Sequence, residues 1–485
     1  MSEKGKIYFY PFLAALIASF VVYGFELTHF TLSIDEEFMD TFNHTVGLGR
    51  WGHSFLREYI LPEPFAPFFT TLISLVIFSC AASLTARLAD IDVEWSCFMA
   101  VLYVSIPQFA YQLEFSNQSD TVALAITAAT ISVLLFTKNG AKLFSWGSVI
   151  SVFLYTFSIS VYQAFSVLPI TLCFVYLIFA LKNDKINKTQ SVIFLMKFAV
   201  ISIFSVALYL IATALVQKTL GITGGSYLSN MIKWGSDDYR LILKSVILSI
   251  SGYFTFNTFY GLGIYSVSVI AFVLFLISIV LRKQFNIYLI IMFVMLLLTP
   301  FIMTAALGGG IQPRIMTSLS PAFSAAIVIA LMSISLRWLN YSCVASLLLI
   351  GSANSNRLFY ADYISRQNDS LLANRIISSI YSSNPDFNEK TTPVYFYGKE
   401  DPVNPWKVNG DIFGRSFFEQ DGGNNGRIVA FMKTSGIANL IRANESMVAT
   451  ARKDAEKMPE WPNPNSIQMH NGVLIIKLGN TPGVD

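Results

Sequence analysis

Residues 191–216 read SVIFLMKFAVISIFSVALYLIATALV, an apolar run broken by a single cation, Lys197. A helix rises about 1.5 Å per residue, so roughly 20 such residues cross the hydrocarbon core of a bilayer. The run predicts a membrane span, with Lys197 near one end, where its stem snorkels to the headgroups. Comparable stretches occupy 65–86, 95–112, 121–137, 143–162, 165–181, 263–281, 287–307, 315–336 and 342–353. The last is short and ends in the polar sequence Ser352-Ala353-Asn354-Ser355. Phe9–Phe25 follows Lys4 and Lys6 and has no clear small-x-small cleavage site after it, so it reads as a retained anchor. The expected fold is a polytopic α-helical membrane protein with about 11 transmembrane helices.

Composition agrees and divides the chain. Of 485 residues 54% are hydrophobic and 13% charged, against roughly a quarter charged in soluble domains. Residues 1–353 hold 35 charged side chains and the much shorter 354–485 holds 28. The expected organisation is a transmembrane domain over 1–353 and a small soluble α/β domain over 354–485. In the latter, 354–382 has helical apolar spacing, while 393–397, 427–432 and 472–478 read as short strands between Gly, Asn and Pro loops. The net charge of +3 and the absence of Lys/Arg runs longer than two argue against nucleic-acid binding. Cys80, Cys97, Cys173 and Cys343 all lie in apolar stretches and read as buried thiols, not a disulfide framework or metal site.

Lys and Arg near helix ends resist translocation. Lys4/Lys6, Arg87, Lys138/Lys142, Lys182/Lys185/Lys188, Arg282/Lys283 and Arg337 fall on one side of the predicted helices, which makes that side cytoplasmic. The N-terminus is then inside, and an odd number of passes delivers 354–485 to the outer face. Few charges sit within the spans: Lys197 and Glu26 lie near helix ends and read as structural, which weakens a proton-coupled transporter.

The polar residues concentrate instead in the first outer loop, 31–64. It runs Ser33-Ile34-Asp35-Glu36-Glu37-Phe38-Met39-Asp40, then Asn43-His44, Gly49-Arg50-Trp51-Gly52-His53 and Arg57-Glu58. Adjacent carboxylates at a lipid interface repel one another, which raises at least one pKa and suits a general base. The alternative is a solvated acidic turn capping a helix. Phe38, Phe42, Val46, Leu48, Trp51, Phe55 and Leu56 give the loop an apolar face suited to the interface. There Arg50, His53 and Arg57 are placed to neutralise a lipid phosphate, or Arg50 and Arg57 pair locally with the acidic turn. Outer segments 114–120 (Glu114 to Asp120), Tyr162-Gln163 and Gly308-Gly309-Gly310-Ile311-Gln312-Pro313-Arg314 are further candidates. Glu114, Asp120, Tyr162 and Gln163 suit sugar hydroxyls, although Asp120 is equally a helix cap and Tyr162-Gln163 equally a hairpin lock. Arg314 ends a flexible turn and either binds phosphate or anchors its helix. No His-Glu-x-x-His, Walker A loop or nucleotide-sugar motif occurs, and nothing calls for a metal or other cofactor.

The anchor, the Ile34-Asp35-Glu36-Glu37 loop, Gly49-Arg50-Trp51, the Ser160-Val161-Tyr162-Gln163 hairpin and the soluble tail together resemble the bacterial O-antigen glucosyltransferases of serotype-converting phages. The resemblance covers nearly the whole chain in layout. It implies a GT-C-like fold in the bacterial inner membrane and an undecaprenyl-phosphate-glucose donor. The implied acceptor is a sugar of the lipopolysaccharide O-antigen, met at the periplasmic face. It places the catalytic carboxylate at Asp35 or Glu36, with Glu37 beside them as a sugar ligand and Arg50, His53 and Arg314 on the donor phosphate. The implied reaction is an inverting single displacement. A flippase or transporter for lipid-linked sugars, an O-antigen polymerase or ligase and a membrane receptor are the competing readings. The first would carry polar groups inside the membrane, the second arginine-rich outer loops, and the third leaves the acidic loop unexplained.

Overall fold

The computed structural model describes residues 3–38, 42–62, 66–225, 230–236, 238–283 and 286–484. They form two compact units, one of 1–28 with 40–356 and the other of 29–39 with 357–485.

The first unit is helical. Among the described residues seven helices are long and apolar enough to cross a membrane: 5–28, 67–89, 119–138, 163–182, 188–220, 262–281 and 287–307. Val93–Ser105, Trp146–Val161 and Leu319–Leu331 are shorter apolar helices. The helix Lys188–Leu220 shows how the sequence sets its limits. Asn187 and Gln190 form a capping box at its start, and Gly221 takes the left-handed conformation that closes its end. Its outward residues are apolar, with Ile203 and Phe204 more than half exposed, the mark of a helix solvated by lipid. Between helices small polar side chains replace bulk: Ser132 and Ser151 hydroxyls lie 2.9 Å apart, and a Cβ on Gly351 would come within 1.7 Å of the Ser105 carbonyl oxygen. Such residues let helices approach closely and satisfy polar groups internally.

Three local expectations change. The stretch read as a span over 95–112 ends as helix at Ser105, and 106–118 is an irregular buried segment containing the short helix Ala110–Leu113. Segments outside the predicted spans hold helices of their own, Phe42–Gly47, Trp51–Tyr59 and Tyr239–Phe254. The polar sequence 352–355 does not end a helix. A single helix, Arg337–Ser383, runs through it, because Ser352 donates to the Val21 carbonyl at 2.8 Å and Asn356 donates back to Ser352 at 2.8 Å.

The second unit is built on a four-stranded sheet. Its strands are β1 (Pro393–Tyr397), β2 (Ile441–Arg442), β3 (Ile467–His470) and β4 (Val473–Lys477), ordered β2-β1-β4-β3. β1 pairs in parallel with β2 and β4, and β3 is antiparallel to β4. β4 is buried at every position and β1 at all but its first, so the two central strands, apart from Lys477 at the end of β4, read as apolar runs covered on both faces. On one face Tyr395, Tyr397 and Ile475 pack with Val448, Ala451 and Ala455 of the helix Glu445–Ala455. Residues 427–432, expected as a strand, lie instead in the helix Asn425–Thr434. The Asn424 side chain caps it by accepting from Arg427 N at 3.0 Å, and Ile428, Phe431 and Met432 fall at helical spacing and are buried.

Candidate active site

The acidic segment belongs to the second unit. Ser33 and Glu36 close a turn on themselves: Glu36 N donates to Ser33 O at 3.0 Å, and Ser33 N donates to Glu36 Oε2 at 2.9 Å. This folds the Glu36 carboxylate back against the backbone and buries it. Asp35 sits at the apex with φ of 81°, a conformation that non-glycine residues enter at a cost and that concentrates at functional sites. Its side chain is 48% exposed, whereas that of Glu37 is fully buried. Met39 and Asp40 lie outside the described residues.

One guanidinium organises these carboxylates. Arg427 donates through Nη2 to Asp35 Oδ1 at 2.9 Å, through Nη1 to Glu37 Oε1, and through Nε to Asp421 Oδ2 at 2.7 Å. Three carboxylates thus share one cation. Burial pushes the Glu37 carboxyl above the usual carboxylate range, against the opposing pull of Arg427. Asp362 fixes the segment upstream by accepting from Thr31 Oγ1 at 2.8 Å and from Gly414 N at 3.2 Å. Asp369 ties the same helix to residues 416–417, accepting from Arg366 at 2.6 Å and from Phe417 N at 3.0 Å.

In the first unit the two short motifs Gly49–Gly52 and Ser160–Gln163 interlock. Gln163 Nε2 donates to Leu48 O at 2.7 Å, and Tyr209 Oη donates to Gly49 O at 3.1 Å. Trp51 Nε1 reaches Thr213 Oγ1 at 3.2 Å. Both glycines are required: Gly49 has φ of 80°, and a Cβ on Gly52 would lie 2.1 Å from Ser160 Oγ. The clamp sets the Arg50 guanidinium over the Tyr162 ring, 4.5 Å from its centroid. Arg50 makes no ion pair among the described residues, and its Nε is buried without a hydrogen-bond partner. Tyr162 itself is buried.

Arg57 has a different role. It forms a two-point ion pair with Asp120, Nη2 to Oδ1 at 2.6 Å and Nη1 to Oδ2 at 3.1 Å, and also donates to the carbonyls of Asn117 and Leu61. Asp120 Oδ1 accepts in addition from Thr121 N at 2.7 Å, so this carboxylate serves the protein's own donors. His53 is buried, with Nδ1 2.9 Å from Thr121 Oγ1. Glu114 is buried beyond the helix Ala110–Leu113. The Arg314 guanidinium lies 4.7 Å from the Phe115 ring centroid, and Gln108 Nε2 donates to Pro313 O at 2.7 Å. The triple glycine before it is a packed turn. Gly308, Gly309 and Gly310 all have positive φ, and a Cβ on Gly309 would lie 2.5 Å from Ser245 Oγ. Among the described residues the structure therefore groups Arg50 with Tyr162 and Gln163, His53 with Arg57 and Asp120, and Asp35 and Glu37 with Arg427.

Sequence reasoning missed Arg427, Asp362 and Tyr209. The Asn424 cap marks the helix that carries the first, not its contact with Asp35 and Glu37; the other two sit in runs where nothing singles them out.

Comparison of the chain with the curated proteins and with the solved structures gave no match to either. Residues 24–334, well over half of the chain, match the family described as Glucosyl transferase GtrII, a span that takes in the acidic segment and both interlocked motifs. The chain belongs to the GtrII family of glucosyl transferases.

Proposed function

We propose that this glucosyl transferase moves glucose from undecaprenyl-phosphate-glucose to a sugar of the lipopolysaccharide O-antigen. The proposed setting is a GT-C-like fold of about eleven passes in the bacterial inner membrane, its N-terminus cytoplasmic and residues 354–485 periplasmic. The observation that carries this reading is Arg50: a guanidinium stacked on Tyr162, lacking any carboxylate among the described residues and held by a clamp of two glycines. A preorganised cation without an internal anion suits an anionic ligand, and a sugar phosphate ester of a membrane lipid brings its own leaving group.

In the proposed mechanism Arg50 takes the donor phosphate and stabilises the charge that develops as the anomeric C–O bond breaks, with Arg314 as a second cation. Asp35 is the general base. Of the three adjacent carboxylates it alone is substantially exposed, while Glu36 is folded onto Ser33 N and Glu37 is buried on Arg427. It removes the proton from an acceptor hydroxyl as that oxygen attacks the anomeric carbon from the face opposite the phosphate, which inverts the configuration. Arg427 holds Asp35 in position. Glu114 and Gln163 are proposed as ligands of sugar hydroxyls.

The test is transfer by purified protein in nanodiscs, supplied with an O-antigen acceptor and either polyprenyl-phosphate glucose or a nucleotide-linked glucose. The reading predicts transfer from the lipid donor alone, with inverted anomeric configuration. Transfer from the nucleotide donor, or retention of configuration, contradicts it.

A further inference from the structure

A cavity of about 300 Å³ opens in the first unit, lined chiefly by Phe42, Thr45, His53, Ser54, Arg57 and Glu58. Its walls are polar and already committed. Ser54 Oγ donates to Thr45 Oγ1 at 2.7 Å, His53 is held on Thr121, and Arg57 spends its donors on Asp120, Asn117 and Leu61. Because Asp120 neutralises Arg57, the cavity has no spare cation for an anion. Glu58 differs from its neighbours: its side chain is exposed, and it makes no hydrogen bond or ion pair among the described residues. A partnerless carboxylate in a polar cavity accepts hydrogen bonds and so calls for a ligand rich in hydroxyl donors. The volume is at the lower end for small-molecule pockets, which run from about 300 Å³ upward, and therefore admits a single ring in preference to a nucleotide or an oligosaccharide. Phe42 supplies an apolar surface for the C–H face of such a ring.

We propose that this cavity seats one pyranose ring of the substrate, with Glu58 accepting hydrogen bonds from a pair of its hydroxyls. The identity of the ring as a substrate sugar rests on the glucosyl transfer reading above. It belongs either to the donor or to the acceptor, since both present vicinal hydroxyls.

The experiment uses the full chain in nanodiscs as wild type, Glu58→Gln and Glu58→Ala; the exposed position tolerates both changes. Saturation-transfer NMR with the methyl glycosides of glucose and of the acceptor sugars reads binding, and initial rates read KM for donor and acceptor separately. The expected result is saturation of one methyl glycoside by wild type, weakened at least about fivefold by Glu58→Ala, and a KM for one substrate raised about tenfold with kcat within about threefold. A rise confined to the donor assigns the ring to glucose, and one confined to the acceptor assigns it there. The proposal is overturned if wild type saturates none of the glycosides, or if Glu58→Ala leaves saturation and both KM values unchanged. Binding lost in Glu58→Ala by a protein that transfers no glucose from the lipid donor would uphold the cavity and refute the donor assignment. Normal transfer with an inert cavity would do the reverse.

Discussion

Arg427 Nη2 lies 2.9 Å from Asp35 Oδ1, joining residues 392 positions apart in the chain. The same guanidinium binds Glu37 and Asp421, so the apex of the acidic turn is fixed by a cation outside the matched span 24–334. The proposed base, held this way, loses its aim when the fork is lost. Arg427→Gln is expected to lower kcat about 10- to 100-fold, as misplacement of a catalytic group does. Arg427→Lys, which keeps the charge but not the fork, is expected to fall between the two. Initial rates of glucose transfer for the three proteins check this order.

Loss of Arg427 also has a pH signature through Glu37, which faces Arg427 and Asp35. Burial raises the folded-state pKa of Glu37 above its unfolded value, and Arg427 pulls against that rise. The folded chain therefore binds this proton more tightly, and the associated stability is present below the unfolded pKa and lost as pH rises through the folded one. Without Arg427 the folded pKa climbs further. Hydrogen exchange in the helix Asn425–Thr434, followed against pH in the full chain, is expected to show this decline at a higher pH in Arg427→Gln than in wild type.

Arg50 is expected to matter to the phosphate of the donor. Arg50→Ala should reduce kcat/KM for the lipid donor by about 10²-fold, the scale of losing one stabilising donor at a developing charge. Tyr162→Phe, which keeps the ring beneath the guanidinium, should stay within about threefold, whereas Tyr162→Leu should lose the cation–π support. Steady-state kinetics with varied donor separate these variants.

The Arg57–Asp120 pair is buried, with side chains 8% and 3% exposed. Breaking it from one side strands a charge, at a cost of about 3–5 kcal/mol, while replacing both partners with apolar residues is often close to neutral. Asp120→Asn and Arg57→Met are each expected to lower the thermal midpoint markedly, and the double change Arg57→Met with Asp120→Leu to recover most of it. Thermal unfolding in detergent measures this directly.

The membrane helices were legible because lipid imposes one rule, about 20 apolar residues in a row, that needs no tertiary information. The strands at 393–397 and 473–477 were legible for a related reason: both are central, and apart from the terminal Lys477 their residues are apolar or aromatic. The stretch 427–432 misled because a short apolar run does not distinguish a buried strand from a buried helix. Its Asn424 cap was the deciding signal. The break expected at 352–355 failed because Ser and Asn side chains found partners on neighbouring turns and helices. As for the site, Asp35, Glu36 and Glu37 were visible as a cluster, but their differences were not. Only the turn geometry buries Glu36 on Ser33 and leaves Asp35 exposed. Arg427 was one arginine among many, and proximity across 392 residues has no local trace. The Gly49–Gly52 and Ser160–Gln163 motifs were each readable, yet only folding shows that the second clamps the first.

The most direct test of the central claim compares Asp35→Asn and Glu36→Gln in glucose transfer from polyprenyl-phosphate glucose, at matched folding. The expected loss is about 10²-fold or more for Asp35→Asn, as for removal of a general base, and less than about tenfold for Glu36→Gln. Wild-type transfer by Asp35→Asn would contradict it.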